Sequence, residues 1–77
     1  MIEFIEYAVR KLVKFPDYIK IRREETERSI DFFLTLHTED VGKVIGRHGR
    51  TIEAIRTLLN TASVKYGKKA TLEIEKN

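Results

Sequence analysis

The chain contains no cysteine, which excludes disulfides, thiol chemistry and cysteine-based metal sites together. Tryptophan is absent as well, and proline occurs once, at Pro16. Apolar runs are only a few residues long, far short of the ~18 needed to cross a bilayer. No charged n-region followed by an apolar h-region opens the chain, so no export and a cytoplasmic location are expected. Only four glycines are present, at 42, 46, 49 and 67. Three of them fall within eight positions.

What remains is a chain of 77 residues, 42% hydrophobic and 35% charged. That length supports one domain and one core. The net charge of +3 is modest, but it is unevenly placed. Residues 41–70 hold seven bases against the single acid Glu53, whereas the rest hold eight bases and eleven acids. A local excess of this kind is the electrostatic footprint of a nucleic-acid binder, although a solvated helix face gives the same count.

Hydrophobic spacing divides the chain into six elements. Phe4, Ile5, Ala8, Val9, Leu12 and Val13 predict an amphipathic helix over 2–14, stopped before Pro16. Ile19 and Ile21 alternate with polar residues as a half-buried strand, and Glu24-Glu25-Thr26-Glu27 is expected to turn. Ser29 to Leu36 alternates without a break and is the clearest strand. Thr38 is a candidate cap for a short helix that Gly46 ends near Ile45, with Glu39 and Asp40 in its first turn. A longer helix begins near Arg50 or Thr51 and carries Ile52, Ile55, Leu58, Leu59 and Ala62. Gly67 is a plausible C′ residue, and Ala70, Leu72 and Ile74 alternate as the last strand. The order α-β-β-α-α-β predicts a two-layer α+β domain, with helices on one face of a three-stranded and mixed sheet.

The informative segment is Asp40-Val41-Gly42-Lys43-Val44-Ile45-Gly46-Arg47-His48-Gly49-Arg50-Thr51-Ile52. A Gly-x-x-Gly turn between helices lets backbone approach a phosphate without a Cβ in between. Free N–H groups and the positive dipole end of the next helix favour anions there. Arg47 and Arg50 add charge, Lys43 lies one helical turn upstream, and Val44 or Ile45 can floor a cleft for bases. Edge groups of the Ser29–Leu36 strand are candidates for base hydrogen bonds. A cleft this narrow suits a single strand.

The duller readings are equally concrete. Gly42 and Gly46 are expected to mark close helix packing, His37 a strand boundary and the Glu24–Glu27 cluster a solvated turn. Core or rim packing is expected for Phe15, Tyr7, Tyr18 and Phe33. Two separated histidines and no cysteine assemble no metal site and no nucleophile–base pair. No Walker A or dinucleotide-binding glycine pattern is present. No enzyme, cofactor or metal is expected.

Val44-Ile45-Gly46-Arg47-His48-Gly49, with Ile52 opening the next helix and the α-β-β-α-α-β order, resembles the K-homology (KH) RNA-binding domains of type II, the prokaryotic arrangement. The likeness spans the whole chain and is strongest to small stand-alone bacterial members. It implies a type II KH-like fold and about four nucleotides of single-stranded RNA gripped by the glycine turn. On this resemblance the RNA-binding residues are Lys43, Val44, Ile45, Gly46, Arg47, His48, Gly49 and Arg50. An RNA chaperone or post-transcriptional regulator is implied. So is pairing, as a homodimer or with a larger KH-containing RNA-binding protein. The competing expectation is a protein-interaction or dimerisation module, with an exposed Phe33, or Ile52 and Leu59 if they lie at the rim, as its contact.

Overall fold

The computed structural model describes residues 2–76. Helix α1 (Ile2–Arg10) is followed by a single 3-10 turn at Pro16–Tyr18, strands β1 (Lys20–Glu25) and β2 (Ser29–Leu36), helices α2 (Thr38–Gly46) and α3 (Gly49–Val64), and strand β3 (Lys69–Lys76). The sheet runs β1-β2-β3. β1 pairs antiparallel with β2, with Arg22 opposite Phe33, and β3 returns parallel, with Leu72 opposite Phe32. The sheet is therefore mixed, and α2 and α3 form the crossover that a parallel pair requires.

Alternation along β2 decides the layering. Ile30, Phe32, Leu34 and Leu36 are buried, while Ser29, Asp31, Phe33 and Thr35 are only partly covered. The buried face packs on Ile5 and Val9 of α1, Val41 and Val44 of α2, and Ile52, Ile55 and Leu59 of α3. All the helices thus lie on one face, as expected. On the other face the Arg22 guanidinium sits 4.3 Å from the centre of the Phe33 ring, a cation–π contact that covers part of this aromatic.

Four boundaries differ from the sequence expectation, three of them because of specific hydrogen bonds or ion pairs. α1 stops at Arg10 rather than 14, because the backbone N–H groups of Lys14 and Phe15 bond to the Asp40 carboxylate at 2.9 and 3.0 Å instead of continuing a helix. Glu24 and Glu25 lie in β1, not in a turn; Arg22 pairs with Glu24, and Arg23 and Lys68 both reach Glu25. The reversal is confined to 26–29, where Thr26 Oγ1 accepts the Ser29 N–H at 3.0 Å. The cap of α2 is His37 and not Thr38, its Nδ1 accepting the Glu39 N–H at 3.1 Å. α3 starts at Gly49, slightly earlier than expected. At its other end Gly67 has φ +70°. The Gly67 and Lys68 N–H groups bond to Val64 O and Ser63 O at 2.9 and 3.1 Å, a Schellman closure that favours glycine.

Candidate nucleic-acid interface

Helices α2 and α3 are separated by two residues only. Arg47 (φ −74°, ψ −33°) and His48 (φ −110°, ψ 22°) turn the chain without any positive φ. The Arg47 and His48 N–H groups bond back to Lys43 O at 2.8 and 3.3 Å, and the first bond into α3 is Ile52 N–H to His48 O at 3.0 Å. The N–H groups of Gly49, Arg50 and Thr51 thus precede the intrahelical ladder and point out of the helix start, where the dipole favours an anion. The His48 side chain makes no capping bond to them. Lys43, Gly46, Arg47 and Arg50 are exposed, and His48 and Gly49 half-buried. Among the described residues, Lys43, Arg47 and Arg50 enter no ion pair.

The glycines of this segment are not demanded by the fold. A Cβ built at Gly42, Gly46 or Gly49 meets no heavy atom within 4 Å, and none of the three has positive φ. The expected close helix packing at Gly42 and Gly46 is therefore absent: that face of α2 is open. What these glycines provide is bare backbone at the surface.

A cleft lies on each side of the turn. One runs between α3 and the sheet, lined by Ile45, Gly49, Ile52, Glu53, Arg56, Glu73 and Ile74. Of the two residues expected to floor it, Ile45 is 58% exposed, whereas Val44 is 0% exposed and belongs to the core. Val44 follows Val41 at helical spacing onto the buried face, so its side chain offers nothing to a ligand.

The open strand edge beside this cleft is not that of β2. β2 is the central strand, paired on both sides, and its backbone is used. The free edge belongs to β3, and α3 stitches part of it. Asn60 Oδ1 accepts the Ala70 N–H at 3.1 Å, and Arg56 Nε donates to Leu72 O at 3.1 Å, its guanidinium also pairing with Glu53. Alternate residues of a strand face the same way, so the Ile74 N–H and C=O also point outward. They lie against the cleft that Ile45 and Ile52 floor. Glu53, Arg56, Glu73 and Ile74 escaped sequence reasoning. Only Arg56 carried a signal, one helical turn beyond Ile52.

The second cleft lies on the opposite flank, lined by Lys14, Glu39, Asp40, Gly42, Lys43, Gly46 and Arg47. The aromatic candidates lie elsewhere. Phe15 stacks on His37 with ring centres 4.2 Å apart, and Tyr18 meets His37 edge-on at 4.7 Å. Tyr7 lies under Lys11. Among the described residues no group of three acidic or histidine side chains is placed to hold a metal, and no helix is long and apolar enough to cross a membrane.

A glycine turn between a short helix and a longer one, on a mixed three-stranded sheet with helices on one face, is the arrangement that the resemblance implied. A family model described as KhpA/KhpB, KH domain, matches residues 2–74. The chain belongs to this KH family. This KH domain is 46% identical over 72 residues to the RNA-binding protein KhpA of Bacillus subtilis, covering 94% of this chain and 89% of that one. It is 44% identical over 71 residues to the KhpA of Lactiplantibacillus plantarum, covering 92% and 84%. It is 40% identical over 74 residues to that of Chlamydia trachomatis, covering 96% and 95%. The KH family is a non-enzymatic one. No solved structure gives a significant match.

Proposed function

We propose that this KH domain binds single-stranded RNA through the Gly46–Gly49 turn, in a bacterial cytoplasm, as an RNA chaperone or post-transcriptional regulator. The relatives are named as RNA-binding proteins. The observation that carries the reading is the bare turn itself: glycines that neither conformation nor packing requires, beside Lys43, Arg47 and Arg50, which have no acidic partner among the described residues. Backbone N–H groups of Gly49 to Thr51 receive a phosphate, and Arg47 and Arg50 supply charge-assisted bonds. Lys43 takes the adjacent phosphate. Bases lie on Ile45, above the buried Ile52 at the cleft floor, and are read by the outward N–H and C=O of Ile74, about four nucleotides in all. A single cleft of this size binds on the order of micromolar or more weakly.

Fluorescence anisotropy with short single-stranded RNA, matched DNA and duplex RNA tests this. Three or four neutralised phosphates give a log–log salt slope near −2 to −3, from ~0.7 per phosphate. Changing Arg47 and His48 together to Asp abolishes binding and leaves the circular dichroism spectrum intact. Unchanged affinity in that folded variant would refute the site.

A second reading, assembly with another copy or with a larger KH-containing RNA-binding protein, is favoured by one surface. Phe4, Leu58, Leu59 and Ala62 line an apolar groove between α1 and α3, and Leu58 is 56% exposed. Of the contact residues expected from sequence only Leu59 reaches this groove, at its floor, because Ile52 is buried and Phe33 is covered by Arg22. The two readings are compatible, since the groove and the turn are built by different residues.

A further inference from the structure

The cleft on the far flank of the turn shares Lys43 and Arg47 with the four-nucleotide grip but extends beyond it to Lys14, and three observations point to a ligand there. The first is charge. Lys14, Lys43 and Arg47 converge on it, and among the described residues none of the three enters an ion pair.

The second is the way Lys14 reaches it. Lys14 lies before the sheet, 26 residues from Asp40, yet it is fixed against α2. Asp40 is 1% exposed, and its two oxygens accept the backbone N–H groups of Lys14 and Phe15 at 2.9 and 3.0 Å. A buried carboxylate has to be hydrogen-bonded. Here it holds the backbone of a lysine and leaves the ammonium unneutralised. Among the described residues that ammonium faces the Phe15 ring, 5.7 Å from its centre, and no acid, so its charge remains available to something outside the chain.

The third is the floor. Gly42 and Gly46 lie one turn apart on α2, and a Cβ at either would touch nothing. A helix pays about 0.5–1 kcal/mol for a glycine in place of alanine, and no contact within this chain explains Gly42. Without a Cβ, a group held by the surrounding cations can sit directly on the helix. Glu39 is the one exposed acid in this lining; it lies one helical turn from Lys43 without pairing with it among the described residues, and about 12 Å along the axis from Arg47 at 1.5 Å per residue. A second copy of the chain does not suit this face, because a two-fold contact sets Lys14, Lys43 and Arg47 against themselves.

We propose that this cleft is a second phosphate site, which carries the RNA backbone past the turn and adds about one or two phosphates to the four-nucleotide grip. It rests on the reading of the Gly46–Gly49 turn given above. Lys14 is the residue that distinguishes the two sites, since it belongs to the second alone.

The test uses randomised four- and eight-nucleotide RNA pools with the full chain and with Lys14→Glu, Lys14→Arg and Glu39→Gln. Binding is followed by amide chemical shifts and by affinity at several salt concentrations. The tetramer shifts the amides of 45–51 and 74; the octamer also shifts those of Lys14 and Gly42. Lys14→Glu weakens the octamer about threefold or more, the size of an exposed charge contact, and lowers its salt slope by ~0.7. Tetramer affinity is unchanged, Lys14→Arg behaves as the parent, and Glu39→Gln binds the octamer more tightly. Equal octamer affinity with and without Lys14 overturns the proposal, and so does an equal loss at both lengths, which marks a general field rather than a site. Failure of the parent protein to bind either RNA overturns the reading of the turn and this inference with it. The backbone of Lys14, not its side chain, makes the Asp40 bond, so these variants keep the fold, and a thermal melt verifies it.

Discussion

Replacing Gly46 and Gly49 together by alanine separates what the fold needs from what a ligand needs. Both residues have negative φ and lie at helix ends, and a Cβ at either meets nothing within 4 Å. Alanine then removes conformational freedom from the unfolded chain without strain in the folded one. The gain is smaller at helix ends than in a helix interior, so the pair contributes at most about 1 kcal/mol. For a domain of this size that raises Tm by up to about 4–8 °C. The same methyl groups stand where a phosphate would meet bare backbone. Loss of one charge-assisted backbone bond, about 1.5 kcal/mol, weakens RNA binding about tenfold. Thermal denaturation and anisotropy titration of one preparation measure both effects. The expected result is a protein as stable as its parent or more so, with impaired binding. A clear fall in Tm would mean that the turn requires glycine for its own geometry, and undiminished affinity would mean that no phosphate contacts it.

Two further outcomes follow from the packing. Asp40→Ala leaves the Lys14 and Phe15 N–H groups without their acceptor and should destabilise the domain by about 2–3 kcal/mol, lowering Tm by about 10 °C or more; a shift within a couple of degrees would contradict the role given to that carboxylate. Leu58→Asp places a charge in the groove shared with Phe4 and Ala62 and should abolish any self-association detected by sedimentation while leaving RNA-tetramer affinity intact; a dimer that survives it uses another face.

The parts of this fold visible in the sequence are those governed by local periodicity. β2 runs over the residues its alternation marks, Ser29 to Leu36, because one face of that strand is wholly buried and the other is not. Ile52, Ile55 and Leu59 similarly point inward at helical spacing. What escaped is set by distant partners. Nothing near Lys14 announces that Asp40 will take its N–H, and so α1 looks longer than it is. The acids of β1 look like a turn until Arg23 and Lys68 are seen to meet Glu25. The alternation of β2 makes it look like the strand beside the turn, but the free edge is that of β3, because the order in which strands lie side by side is not a local property. Val44 was within reach, since Val41 already marked the inward face of α2.

The parallel pairing of β2 with β3 has a kinetic meaning for the glycine turn. Leu36 and Lys69 are joined only through α2 and α3, so a long loop must close before the two strands can register. The turn lies inside that loop. The β1–β2 hairpin can form from neighbouring residues, yet by itself it presents no turn and no β3 edge. A chain that has folded only its hairpin therefore has no cleft to offer, and Ile45, Ile52 and Ile74 come together only when the crossover closes. Opening events that release β3 dismantle the cleft as well, so its amides should exchange with solvent alongside those of the β2–β3 ladder.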